Sequence, residues 1–281
     1  MKVLVTGATG FIGRHVIRGL LGRNHSITAV ARNPQRMEEL GWPGEVKFVS
    51  CDIHTKDLNE TVKLAEFDYL MHVAWPGLPN YKSLFHLEKV LPAECQFLKS
   101  AIKAGCRNIL VTGTCFEYGM QNGCLHEGME TRPVNPYALA KDTLRRYLEA
   151  LSESDSFNLK WARLFYMYGA GQNQRSLLSQ LDSALERGDK EFPMSGGEQL
   201  RDYLPVERVA SSLVDLLENT SAKGVFNICS GQPVSVRRLV EEHLLKRGKH
   251  ISLKLGHYPY PDYEPFAFWG SNEKFRGLSN E

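Results

Sequence analysis

The chain has 281 residues, 42% hydrophobic and 23% charged, with a formal net charge of +2, which suits a globular protein of one large or two modest domains with a buried core. No long basic run threaded by aromatics occurs, so nucleic-acid binding has no support, and the longest uncharged run, residues 69–81, is too short and too interrupted to span a bilayer. With no cleavable apolar leader ahead of the first strand, the expected location is cytoplasmic.

The first element is a short apolar run, Val3-Leu4-Val5, followed at once by Gly7-Ala8-Thr9-Gly10-Phe11-Ile12-Gly13 and then by residues 14–21 with helical spacing of their apolar positions. This reads as strand, glycine turn and helix. Glycines serve there because the backbone must turn tightly, approach a pyrophosphate closely and pack the helix on the strand, while the amides that open the helix face the anion. Residues 27–31, 46–49, 69–74 and 108–112 read as further strands, with a helix over 81–104 stopped by Gly105. Asn135-Pro136 opens another helix; residues 159–165 and 225–229 read as strands, and 177–187, 206–218 and 234–247 as helices. Short apolar strands alternating with helices predict an α/β fold with a doubly wound parallel sheet, its strand carboxyl ends along one ligand-binding edge. We expect residues 1–165 to form a dinucleotide-binding domain to which 204–230 return. Residues 166–203 and 231–281 would form a small discontinuous α/β substrate-binding lobe, with a cleft between the two.

Six cysteines (Cys51, Cys95, Cys106, Cys115, Cys124, Cys229) form no CxxC pair and no metal-ligand grouping with the nine histidines, so neither a disulfide framework nor a metal site is expected.

The residue that ends the second strand reads the adenosine ribose in a dinucleotide fold. Here it falls on Ala31-Arg32-Asn33, with Arg36 shortly after. No carboxylate stands there to hold a free 2′-hydroxyl, whereas a guanidinium matches a 2′-phosphate by charge and by its paired donors, so NADP(H) is favoured over NAD(H). A solvated loop arginine is the alternative for Arg32. Asp52 either accepts a hydrogen bond from the adenine amino group or caps the next helix.

Tyr137 and Lys141 lie four apart and share a helix face. An ammonium beside a phenol is expected to lower its pKa from about 10 and make it a proton donor and acceptor near neutrality. Thr114 follows the fifth strand at the ligand edge, where its hydroxyl can hold a carbonyl oxygen beside the phenol. Such a trio suits carbonyl and alcohol chemistry next to a nicotinamide.

Through these motifs, together with His72-Val73-Ala74, Thr114–Gly119, Arg163–Gly169 and Arg201-Asp202-Tyr203, nearly the whole chain resembles the extended short-chain dehydrogenase/reductases, in particular their nucleotide-sugar epimerase, dehydratase and reductase branch. The resemblance implies a Rossmann fold, Tyr137 as general acid/base, Lys141 as its partner and nicotinamide-ribose ligand, and Thr114 as the usual Ser/Thr. It implies cofactor contacts from Gly7, Thr9, Gly10, Phe11, Ile12, Gly13, Arg32, Asp52, Ile53 and Ala74. Contacts to a nucleotide-sugar substrate would come from Thr114, Cys115, Tyr137, Tyr166, Arg175 and Arg201, the last on the phosphates. For Arg201 an ion pair with Asp202 or Glu207 is the alternative. A homodimer through the helices after the fourth and fifth strands is also implied, with no nucleic-acid or membrane partner.

Departures from the family pattern narrow the activity. The family's 4,6-dehydratases place an Asp-Glu pair after the catalytic Thr; here those positions are Cys115 and Phe116, which cannot act as acid and base. Trp75 stands where a small residue is usual and Tyr166 where Asn is common, and each either reshapes the sugar pocket or packs in it. The stretch 256–270 lacks the second phosphate-binding Arg of the 4-epimerases and is similar to that of small reductases acting on nucleotide-linked 4-keto-6-deoxyhexoses, of the kind making fucose, 6-deoxytalose or abequose donors. Reduction of the C4 ketone by NADPH is thus expected, with a 4-epimerase holding NAD, or a non-catalytic NADP-binding regulator, as alternatives.

Overall fold

Val3 and Val5 pack into one buried cluster and Leu4 into another, so β1 (Lys2–Thr6) is covered on both faces and has to lie inside the sheet. The structure, a computed structural model, describes residues 1–42, 44–55 and 60–278; residues 279–281 of the expected second lobe fall outside that range. Around β1 run β2 (Ser26–Ala31), β3 (Lys47–Ser50), β4 (Tyr69–His72), β5 (Asn108–Thr114), β7 (Asn158–Leu164) and β11 (Gly224–Ile228), in the order β11-β7-β5-β4-β1-β2-β3 with every pairing parallel. The chain reverses direction of travel across the sheet between β1 and β4, and a crevice opens outside the carboxyl ends of strands at such a point.

α1 (Phe11–Leu21) and α6 (Val206–Glu218) bury Val16, Ile17, Leu20, Leu213 and Val214 on the Val3/Val5 face. α3 (Leu91–Lys103) and α4 (Pro136–Ser154) bury Phe97, Leu98, Leu144 and Leu148 on the Leu4 face. α2 (Pro34–Leu40) follows β2. The fold is the doubly wound parallel α/β sheet that the strand and helix alternation predicts.

Smaller sheets frame the open edge. β8 (Tyr166–Tyr168) pairs with β10 (Leu200–Pro205), which pairs with β12 (Pro233–Ser235). β6 (Gly123–Leu125) pairs with β14 (Phe268–Gly270), and β9 (Glu191–Pro193) with β13 (Ser252–Lys254). α5 (Leu177–Arg187) and α7 (Val236–Arg247) share a core of their own with Leu181, Val240 and Ile251, and α8 (Glu273–Gly277) closes the described chain.

Two expected elements differ. The helix expected over 81–104 begins as a π-helical turn at His86–Val90 and becomes α-helical only at Leu91, because Pro92 has no N–H to continue an α ladder backwards. The helix expected from 234 begins at Val236: residues 233–235 form a strand, and the Ser235 hydroxyl accepts from the Arg238 amide at 3.1 Å to cap α7.

Candidate active site

Between β1 and α1 the chain turns at Gly7, whose φ of +69° is open to glycine and strained for other residues, and a Cβ there would lie 2.7 Å from the Ala74 backbone. A Cβ on Gly13 would collide with the carbonyls of Gly7 and Ala8. No side chain caps the first amides of α1 and no acidic residue sits in its first turn, so these donors face the crevice free for an anion. A cradle built this way fits a dinucleotide pyrophosphate.

The crevice is a cleft of about 1450 Å³. Gly7, Thr9, Gly10, Phe11, Ile12, Gly13, Arg32, Asp52, Ile53, Ala74, Thr114, Cys115, Tyr137, Lys141, Tyr166 and Arg175 all border it, but Arg201 does not. At its adenosine end β2 runs into the exposed Arg32, and Arg36 and Arg14 border the cleft as well. Burial, then the nearby Arg36 and Arg18, lowers the pKa of the Arg14 guanidinium. Asp52 caps a turn, its carboxylate accepting from the His54 amide at 3.1 Å.

At the other end, Asn135 caps α4 by accepting from the Ala138 amide at 2.9 Å, which fixes where the first turn carries Tyr137. Lys141, one turn on and 1% exposed, donates from Nζ to the Thr112 carbonyl at 2.7 Å and lies 3.9 Å from the centre of the Trp75 ring. The Thr114 side chain lies beside the Tyr137 phenol and favours its ionised form. Thr114 is itself the cap of a short 3-10 turn, Cys115–Tyr118, with its amide donating to Glu117 at 2.8 Å.

The expectation that the ammonium lowers the phenol pKa is corrected. Burial, reinforced by Tyr81 and Glu117, pushes the Tyr137 phenol well above its ordinary value, so it is held protonated. Burial likewise brings Lys141 down to about 8 against the pull of Glu94 and Glu117. In this cleft desolvation dominates both groups, and Tyr137 is poised to give a proton rather than to take one.

Arg201 is 2% exposed; it donates to the carbonyls of Leu200 and Phe266 at 2.7 and 2.9 Å and pairs with Glu264 at 2.8 Å. Neither Asp202 nor Glu207 is its partner: Asp202 accepts from the Ser230 and Gly231 amides at 2.7 and 2.9 Å. Glu264 also accepts from the Tyr166 hydroxyl, so Tyr166 borders the cleft with its donor already used. Burial pushes the Glu264 carboxyl up to about 7, while the guanidinium of Arg201 favours its ionised form. Burial pushes the Cys115 thiol far above its usual value and keeps it inert.

Sequence reasoning missed three groups here. Tyr81, Phe116 and Tyr263 form an aromatic wall beside Tyr137, with Tyr81 5.5 Å from the Tyr137 ring and 5.2 Å from Phe116. Glu117, fully buried, accepts from Trp161 at 3.0 Å and Arg163 at 2.7 Å as well as from Thr114; the Thr-x-x-Glu spacing of a capping box was its one local signal. Glu94 of α3 bridges His54 at 2.9 Å and His72 at 2.8 Å, and His72 reaches the Thr6 hydroxyl at 2.7 Å.

The sequence pattern of the "NAD dependent epimerase/dehydratase family" matches residues 3–229. The chain is 30% identical over 273 residues to dTDP-6-deoxy-L-talose 4-dehydrogenase (NAD(+)) of Aggregatibacter actinomycetemcomitans, covering 96% of this chain and 100% of that one. It is 24% identical to dTDP-4-dehydro-6-deoxyglucose reductase of Escherichia coli, covering 88% and 82% respectively. Among solved structures, MoeE5 in complex with UDP-glucuronic acid and NAD is 26% identical and superposes with a TM-score of 0.82, covering 99% of this chain and 92% of that one.

Proposed function

The chain belongs to the NAD dependent epimerase/dehydratase family, the extended short-chain dehydrogenase/reductases, and from that premise we propose that it reduces the C4 ketone of a nucleotide-linked 4-keto-6-deoxyhexose with NADPH. Chemistry at C4 of a nucleotide sugar is shared by its dehydrogenase, reductase and 4-epimerase relatives; the direction, the cofactor and the sugar are our reading. The observation that carries this reading is the adenosine end of the cleft. Arg32, Arg36 and Arg14 border it and β2 ends without a carboxylate, which supports a 2′-phosphate and hence the cofactor kept reduced for net reduction. The curated relative named above carries NAD(+) in its name and MoeE5 holds NAD, so the cofactor is what the test below must separate first.

Bound in the cleft, a reduced nicotinamide supplies the hydride. The Gly7–Gly13 amides would hold its pyrophosphate, and Lys141 the ribose next to the ring. The Thr114 hydroxyl orients the ketone oxygen, and Tyr137, held protonated, gives its proton to that oxygen as it becomes an alkoxide. Cys115 and Phe116, one an inert thiol and the other a hydrocarbon, provide no acid or base for eliminating water. Residues 1–165 with 204–230 hold the cofactor and residues 166–203 and 231–281 the sugar nucleotide, in a cytoplasmic homodimer built on α3 and α4.

The test is to incubate the purified enzyme with NADPH or NADH and a panel of nucleotide-linked 4-ketosugars and follow loss of the reduced-cofactor absorbance. Turnover with NADPH exceeding that with NADH supports the proposal. Bound NAD carried through purification, with epimers interconverted and no reduced cofactor consumed, assigns a 4-epimerase instead.

A further inference from the structure

We propose that Trp75 is a positioning residue for Lys141: its indole face clamps the ammonium on the wall of the cleft and favours the form that carries the proton. The inference rests on the reading that Lys141 serves the reaction, and it starts from Trp75, three residues past β4, which packs against two of the hydrophobic clusters and borders the cleft. Lys141 Nζ lies 3.9 Å from the centre of the Trp75 ring and donates to the Thr112 carbonyl at 2.7 Å. A cation over an aromatic face is attracted by the ring's quadrupole, and more strongly where water is excluded, as at this lysine of 1% exposure.

The indole is itself held in place. Its Nε1–H donates to His86 Nδ1 at 3.2 Å, and His86 Nε2 faces the Asn80 carbonyl at 2.9 Å. A carbonyl only accepts, so Nε2 carries the imidazole proton and Nδ1 is left to accept from Trp75. Burial and the charge of Lys141 hold the His86 pKa down, which preserves that tautomer. The His86 ring stacks on Trp75 at 6.3 Å, and both rings meet the edge of Tyr137, at 5.4 Å from His86 and 5.9 Å from Trp75. Both rings therefore brace the acid, and Trp75, held by His86, braces its lysine.

The groups facing the ammonium are Trp75, the Thr112 carbonyl, the neutral His86, and, at longer range, Glu94 of α3 and Glu117 of the 3-10 turn. Burial opposes its charge and the two carboxylates favour it. Leucine at position 75 keeps the burial and removes the π face. The ammonium then loses its proton at lower pH.

The experiment reads Lys141 directly. Protein labelled at lysine 13Cε is titrated by NMR without cofactor or substrate, the Lys141 resonance being assigned by its loss in Lys141→Met. Trp75→Leu moves the Lys141 midpoint down by about one pH unit, a tenfold smaller charged fraction on the falling limb, and Trp75→Phe moves it by less. In the reductase assay kcat/KM of Trp75→Leu falls about twofold at neutral pH and about tenfold on the alkaline limb, which moves down with the NMR midpoint, and Trp75→Phe recovers most of the loss. A midpoint unchanged or raised in Trp75→Leu overturns the proposal, since Trp75 would then be only a cover. If Trp75→Leu does not fold, Trp75→Phe carries the same test, with an unchanged midpoint again the negative result. If no ketosugar is reduced, the NMR midpoints still decide the role of Trp75, so failure of the functional reading is told apart from failure of this one.

Discussion

Tyr137 sits where α4 begins and where burial keeps it protonated, so its replacement should remove a proton donor and little else. Tyr137→Phe should lower kcat by about 10²- to 10⁴-fold while the NADPH dissociation constant, read from cofactor fluorescence, stays within about twofold. Unchanged turnover would remove the role assigned to it. The Arg201–Glu264 pair makes a different case: both side chains are nearly buried, at 2% and 9% exposure, so breaking the pair leaves an uncompensated charge. Glu264→Gln should cost about 3 kcal/mol in urea unfolding, and the double replacement with Arg201→Met should recover part of it. A loss in the double variant equal to the sum of the singles would mean that the ion pair contributes no coupling. Thr114, Tyr137 and Lys141 were legible because their spacing along a strand end and a single helix turn is local. Glu264 was not, because its link to Arg201 and Tyr166 joins segments far apart in the chain, and no short-range pattern records such a contact.

Elements whose reason for existing is local were legible almost to the residue: α5 at Leu177–Arg187 and α6 at Val206–Glu218 coincide with their expected ranges because each carries an apolar stripe at helical spacing. The three-residue strands were not read. β14 forms only because Phe268–Gly270 lies along Gly123–Leu125, a pairing set by the tertiary structure. The start of α4 offers the sharpest test at this scale, since one cap places the acid. Asn135→Ala removes the acceptor of the Ala138 amide and should cost about 1 kcal/mol, seen as a lower urea midpoint at unchanged slope. Because Tyr137 rides on that first turn, kcat should fall in the same variant; a destabilised protein with full kcat would show that the cap does not set the position of the phenol.

Across the whole molecule, the Glu94 carboxylate ties α3 to β4 through His72 and to the turn at the adenosine end through His54, beneath the cleft. Burial alone would raise its pKa, yet the two imidazoles hold it down, from a usual 4.5 to about 2, and Glu94 in turn raises His54 above its ordinary 6.5. The signs of these two linkages differ. The depressed carboxyl contributes stability that is present above about 4.5 and is lost as pH falls toward about 2. The raised imidazole contributes stability that is full below about 6.5 and is lost as pH rises through its folded value. Both contributions coexist only between those limits, so the destabilisation caused by Glu94→Gln should be greatest in that window and shrink on either side. Urea unfolding of wild type and variant at about pH 3, 5.5 and 8.5 reads the difference directly, and the middle value should exceed both others. A cost independent of pH would mean that the side chain acts by shape and neutral hydrogen bonding. The coupling of cleft floor to helix would then have to be sought in the packing of Phe97 against His72, whose rings lie 5.4 Å apart.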